Sequence, residues 1–443
     1  MRTRHSYLKV IARLGAVTVL CTIFLALSFS VAFASETATR TAADIQARWQ
    51  QLMPVYSGSP YAVAPSTRAP YAAGSITSGM AQDGLNALNY CRYLAGLPDD
   101  VTIDSADEGL AQDGAVLLAA STYSHTPPKP SDMDQAFYAL GYKATSSSNI
   151  GIGYSSLANF TFDCMDDSDP VNIDRLGHRR WILDPPLAKT GMGWANQRCD
   201  TYVFDWSRTT PVSYDSIKWP AAGAFPAEMT NEWTPWSVTL NPALYSMSAG
   251  TAGYRVTLRR EGDGKTWTFT GANTDTSGQY FNFETSRYGI NNCFIFRPDP
   301  ASVGGYEPGD VFDVTITGPI TNLSDGTPAT ISYVTDFISQ DGPTTSIRLS
   351  GAARVKAKRT YKLAGWMAPS DASGRVRISL KRYAGGKWRP AGSKTVSVSN
   401  GKFRYSFKPK HKGKWQATAR LGSIEMASVS TRHTTATKRF KVK

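Results

Sequence analysis

Apolar residues recur at helical spacing in the first half of the chain and at alternate positions in much of the second, and this change of period organises the reading. Ala42, Ile45, Trp49 and Leu52 predict a helix over 41–53. Gly58, Pro60, Pro65 and Pro70 then predict a loop over 56–70. Leu85, Leu88, Cys91 and Leu94, with Ala95, make one apolar stripe, so 77–98 reads as an amphipathic helix closed by Gly96 and Pro98. Asp104-Ser105 offers a cap for the next helix, whose inner face is Ala111, Ala115, Leu118 and Ala119. Pro127-Pro128 prevent its continuation. A third helix is expected over 132–140, an isoleucine-rich strand after 146–153, and two strands around Gly191–Trp194 and Thr201–Phe204.

From about Trp206 the period becomes two. Trp236–Leu240, Tyr254–Leu258, Thr266–Phe269 and Val311–Ile316 alternate or are rich in β-branched residues, with Asp263-Gly264 and Asp325-Gly326 as turns. A β-sandwich is the expected architecture over 206–343. Trp206, Trp219, Trp233 and Trp236 cluster at its start, as core residues or as the lining of a carbohydrate cleft. After Asp341-Gly342-Pro343, the runs 375–381 and 402–408 alternate basic or polar with apolar residues, and Asn400-Gly401 reads as a turn. Residues 344–443 are therefore expected to form an immunoglobulin-like β domain without a disulfide.

Charge sharpens this division. The chain of 443 residues carries +13. Residues 345–443 hold 25 Lys and Arg against 2 Asp and Glu, or +23. The first 34 residues add +4, which leaves −14 on the stretch between. Arg2, Arg4, Lys9 and Arg13, the apolar run 14–31 and Ala32-Phe33-Ala34 read as a signal peptide cleaved after Ala34, with no transmembrane helix left after cleavage; an uncleaved membrane anchor is the alternative, since the run is nearly long enough to span. Residues 35–76 read as a linker containing the first helix. Beyond the leader lie Cys91, Cys164, Cys199 and Cys293, which permit two disulfides in three pairings or four buried free thiols. In an exported protein the basic domain meets anionic envelope polymers rather than nucleic acid. Arg375, Arg377, Lys381, Arg404 and Lys408 are the candidate polyanion-binding residues.

Between the leader and the basic region there are two histidines, His125 and His178. Their surroundings carry a resemblance in three ordered segments: Leu85–Pro98, then Ala111-Gln112 through Ser124-His125, then Gly177-His178-Arg179 with Ile182-Leu183-Asp184-Pro185 and Gly191-Met192-Gly193. Together these resemble the CAP superfamily of cysteine-rich secretory, antigen 5 and pathogenesis-related-1 proteins, in its bacterial GHR form. The resemblance implies an α+β protein: a CAP-type α-β-α sandwich over 77–205 followed by the two all-β domains.

In that family a central cleft holds two histidines and usually two acidic residues. The resemblance places His125 and His178 there. The family's Gly-Glu-Asn-Ile segment aligns with Ser148-Asn149-Ile150, so Ser148 takes the place of the glutamate. Asp166, Asp167 or Asp169 is the second acid, with Asp167 the choice. Ser148, Asn149, Asp167 and the histidines thus form the candidate ligand cleft. Two neutral imidazoles can hold Zn²⁺ or another divalent cation with water completing the shell. Hydrolysis also needs a positioned base, and with Ser148 at the glutamate's position no catalytic residue is assigned. The expectation is a secreted or cell-surface binding module for a lipid or host protein, attached to the envelope by its basic domain. A metal-dependent hydrolase using His125 and His178, and an adhesin in which the first domain is a scaffold, are the alternatives.

Overall fold

The computed structural model describes residues 40–341, 346–368, 374–399, 401–421 and 435–443. The expected signal peptide and Asn400 lie outside them.

Helix α1 (Ala42–Leu52) starts at a reciprocal cap. Thr41 Oγ1 accepts the Asp44 amide at 3.2 Å, and the Asp44 carboxylate accepts the Thr41 amide at 3.0 Å. The expected loop contains a short strand, β1 (Tyr61–Val63), paired with β2 (Ser75–Ile76). Helix α2 (Ser78–Ala95) ends at Gly96, whose φ of 82° only glycine adopts readily. After β3 (Thr102–Ile103), α3 (Ser105–Ala120) begins at Asp104, whose side chain accepts the Ala106 and Asp107 amides. The third helix, α4 (Gln135–Thr145), is displaced from the expected 132–140, because the capping side chain is that of Asp134 and 131–133 form a turn.

Strands β4 (Ser148–Ile152), β5 (Lys189–Ala195) and β6 (Arg198–Tyr202) join β3 in a sheet of order β3-β5-β6-β4, parallel only between β3 and β5. Helix α5 (Leu157–Asp166) and the short α6 (Gly177–Ile182) lie between β4 and β5 in the chain. The glycines of β5 show how the layers approach. A Cβ on Gly191 would stand 2.0 Å from the Asp107 carbonyl carbon, and one on Gly193 2.0 Å from the Ala111 carbonyl oxygen. The strand therefore lies directly against α3. Met192, between them, points to the other face and meets α2 at Gly84. Helix α5 covers that second face too, since Gly151 is pressed against Phe160. The result is helix, sheet, helix, with α3 and α4 on one side and α2, α5 and α6 on the other.

The β-rich part pairs a five-stranded sheet with a four-stranded one. The first has order β12-β11-β15-β17-β8 and the second β13-β14-β9-β7. In chain order these are β7 (Ser216–Trp219), β8 (Gly223–Pro226), β9 (Trp236–Leu240), β10 (Tyr245–Met247), β11 (Arg255–Arg260), β12 (Thr266–Phe269), β13 (Tyr280–Glu284), β14 (Cys293–Arg297), β15 (Val311–Thr317), β16 (Ile320–Asn322) and β17 (Ile331–Ile338). The short helix α7 (Pro300–Val303) follows β14, and β10 pairs with β16. Trp236 is fully buried between the sheets, with Phe296, Tyr306, Phe312 and Phe337 within 6.0 Å of its ring centre. Trp219 is also fully buried, while Trp206 and Trp233 are 50% and 44% exposed, so the tryptophans divide between core and surface. One continuous apolar core runs from Ile45 to Phe337, across the helical layers and the sandwich.

Residues after 345 have a core of their own. Strands β18 (Ser346–Gly351), β20 (Tyr361–Ala368) and β23 (Lys402–Phe407) form one sheet. Strands β19 (Arg354–Val355), β21 (Gly374–Ala384), β22 (Lys387–Val398), β24 (Gly413–Leu421) and β25 (Thr435–Val442) form the other. Tyr361 of the first stacks on Phe440 of the second at 4.0 Å.

Candidate functional site

The connection from α5 to α6 places an acid against a histidine. Asp167 caps α5 in the left-handed region (φ 48°), a conformation that aspartate tolerates. Leu176, just before α6, is also left-handed (φ 51°), a strained state for a leucine. Its side chain is fully buried with Ile173, Tyr280, Cys293 and Ile295, which holds the turn. As a result, Asp167 Oδ1 lies 2.8 Å from His178 Nδ1, and its Oδ2 accepts the Arg179 amide at 3.2 Å. Asn172 Nδ2 stands 3.5 Å from the same ring nitrogen.

Two buried arginines fix α6. Arg92 of α2 donates to the carbonyls of Ile182 (2.9 Å) and Asp184 (2.8 Å), placing a cation at the helix's carbonyl end. Arg179 donates to the carbonyls of Met165 (2.7 Å), Asp166 (2.9 Å) and Pro235 (2.7 Å) and to Ser237 Oγ (3.0 Å). It thereby ties the helical layers to β9. Burial pushes both guanidinium groups down to about 10. Sequence reading did not assign them a role; for Arg179 the available signal was the adjacent Arg179-Arg180 just before the apolar Trp181-Ile182-Leu183.

His125 follows α3. Its Nδ1 is 2.7 Å from the Thr145 carbonyl, and Thr145 Oγ1 donates back to the His125 carbonyl at 3.2 Å. Desolvation lowers the His125 pKa, the Thr145 contact partly opposes this, and positive charge on His178 or Arg175 lowers it further. Burial acts downward on His178 as well, but Asp167, with Asp169 and Asp163, raises its pKa overall. Each imidazole has its Nδ1 against an oxygen acceptor. In the neutral ring this fixes the proton on Nδ1 and leaves the Nε2 lone pair unprotonated.

The other two cleft candidates are on neighbouring positions of β4 and face opposite ways. Asn149 Nδ2 donates to the His178 carbonyl at 3.0 Å. Ser148 is buried on the α3 side beside Asp200, whose carboxylate lies against Gly114 of α3. Burial holds the Asp200 pKa well above the usual carboxylate range, and Ser148 draws it partly back. Neither the Ser148 hydroxyl nor the Asp200 oxygens make a hydrogen bond of regular geometry. Ser148 thus belongs with Asp200, and Asn149 and Asp167 with His178.

Residues 85–207 match the family model of the cysteine-rich secretory protein (CAP) family. The matched span contains α2 to β6 and both histidines, so the layered region is a CAP domain followed by a β-rich region. No curated protein matches the chain. Among solved structures it is similar to the CARDB domain of a Pyrococcus furiosus protein, in complex with di-metal ions. That match has 14% identity and a TM-score of 0.16 and covers 23% of this chain and 89% of that one. It is also similar to a tetra-tandem repeat in the extending region of a large adhesion protein, at 14% identity and a TM-score of 0.20. There the match covers 47% of this chain and 45% of that one. At such TM-scores neither likeness bears on site or function.

Among the described residues, no group of three or more His, Cys, Asp or Glu side chains converges as a metal cage. Cys91, Cys164, Cys199 and Cys293 are all buried free thiols, which corrects the two-disulfide alternative. Burial is the main force raising each of their pKa values. The candidate polyanion residues divide between two surfaces. Arg375, Arg377 and Lys381 are exposed on β21, alternating with buried Val376, Ile378 and Leu380. Arg404 is exposed on β23 of the other sheet, with exposed Lys408 just beyond.

Proposed function

We propose that this protein is an exported binding module whose CAP domain captures a ligand at His125 and His178. The observation that carries the reading is the matching arrangement of the two imidazoles. His178 is anchored through Nδ1 to Asp167 and His125 through Nδ1 to Thr145, so each keeps an Nε2 lone pair. A backbone carbonyl or carboxylate on Nδ1 orients a ring and raises the basicity of the other nitrogen. Such a pair accepts a hydrogen-bond donor, including the hydroxyl of a lipid or the amide of a host protein, or a divalent cation such as Zn²⁺. Ser148, at the position where related CAP domains carry glutamate, supplies no general base, which favours binding over hydrolysis. The leader directs export, and the basic domain at 344–443 holds the protein to anionic polymers of the cell envelope.

Zn²⁺ serves as the probe. It raises the melting temperature of the full chain, because a ligand bound only by the native state stabilises it. The double variant His125→Ala/His178→Ala loses that rise. An unchanged response in the double variant places the binding elsewhere and overturns the reading.

A further inference from the structure

A cavity of about 350 Å³ opens between the CAP domain and the β-rich region. Its walls come from α1 (Trp49), α5 (Asn159, Phe162, Asp163, Asp166), the segment 228–234 and Gln340. Three carboxylates line it, Asp163, Asp166 and Glu228, and no Lys or Arg does. None of the three has a cationic partner among the described residues. Their contacts are neutral. Tyr154 donates to Asp163, Asn231 (3.3 Å) and Thr234 to Asp166, and Ser339 Oγ (2.8 Å) and the Gln340 amide (3.1 Å) to Glu228. The Gln340 side-chain oxygen has no partner. Trp49 and Phe162 pack at 6.2 Å and form the aromatic wall.

We propose that this cavity binds a small organic ammonium ion. A concave site with aromatic walls and a few converging polar groups is the usual form of a small-molecule site, and the volume suits a ligand of that size. Three carboxylates without a direct ion pair favour positive charge, and aromatic faces attract an ammonium through the ring quadrupole. A hydrated divalent ion would leave the aromatic wall unused. A single ammonium with an apolar body uses both parts. This cavity is lined by neither His125 nor His178.

The test is calorimetric titration of the full chain with phenethylammonium, against phenethyl alcohol as its neutral counterpart and phenylacetate as an anion. The ammonium is expected to bind at least about tenfold more tightly than the alcohol, a difference of about 1.4 kcal/mol, with no binding of the anion. Asp163→Asn/Glu228→Gln removes the ammonium's advantage, while His125→Ala/His178→Ala leaves it intact. The comparison between ligands needs no variant, so it stands even where a substitution disturbs folding. Equal affinity for ammonium and alcohol, or no binding of the ammonium at millimolar concentration, overturns the proposal.

Discussion

The Asp167 carboxylate touches His178 and the residue after it at once: Oδ1 lies 2.8 Å from His178 Nδ1, while Oδ2 accepts the Arg179 amide at 3.2 Å. The acid therefore fixes the ring and the first turn of α6 together. Because the folded pKa of His178 is raised, protonation of this ring stabilises the fold. That contribution is complete below the unfolded value of about 6.5 and is lost as pH rises through the folded value. Asp167→Asn is expected to lower the His178 pKa and abolish this slope. Imidazole proton shifts followed against pH measure the change, and an unmoved His178 titration contradicts the assignment.

His125 should titrate in the opposite sense. Its folded pKa is lowered, chiefly by desolvation, so the unfolded chain takes up the proton first. Stability falls as pH drops below about 6.5 and continues falling through the folded value. In one spectrum of the native protein, His178 is expected to titrate above, and His125 below, an exposed histidine. A reversed order would mean that the surroundings of the two rings have been misassigned.

Much of this fold was legible from period alone. The stripe Leu85, Leu88, Cys91, Leu94 located α2, and alternation located β9 and β12 with their observed bounds. Strands β13 and β14 went unread. Cys293–Arg297 is buried throughout, so it has no polar alternation to mark its faces. Strand β17, unread too, does alternate, with Ile331, Tyr333, Thr335 and Phe337 buried. The histidines were found through resemblance. Asp167 was named with them, but Thr145 was not, since it reaches His125 from a helix end that no periodicity marks. The split of the basic residues between two sheets depended on pairing order, which local sequence does not carry.

Arg179 carries a structural prediction. Its guanidinium is fully buried and satisfies four acceptors drawn from the α5 end and from 235–237. Arg179→Ala strands those acceptors away from water and is expected to cost about 3 kcal/mol or more. Urea unfolding monitored by tryptophan fluorescence gives the number. A loss under about 1 kcal/mol would show that the bridge contributes little.

Asp200 predicts a gain. It is fully buried with a strongly raised pKa, so the native state keeps its proton while the unfolded chain ionises above about pH 3.9. The wild type therefore loses stability as pH rises from about 4 toward the folded value. Asp200→Asn removes that slope, so its melting temperature should improve relative to wild type between pH 4 and 7. Calorimetry at several pH values decides this; parallel curves for the two proteins would contradict it.

The basic domain should bind envelope polymers by charge on two faces. A reporter fused to 345–443 is expected to sediment with purified cell walls at low salt and to be released near 1 M salt, where the Debye length is about 3 Å. Neutralising Arg375, Arg377 and Lys381 should weaken retention only in part, because Arg404 and Lys408 belong to the other sheet. Retention that survives molar salt would rule out an electrostatic attachment.

The proposed site requires His125 and His178 to offer their Nε2 atoms to one shared ligand. Long-range proton–nitrogen correlation spectra of the full chain at about pH 8, recorded during a Zn²⁺ titration, test it most directly. Both rings are expected to start with the proton on Nδ1, and both Nε2 resonances then to move together along one binding curve. A ring protonated on Nε2 at the outset, or Zn²⁺ shifting only one histidine or neither, would contradict it.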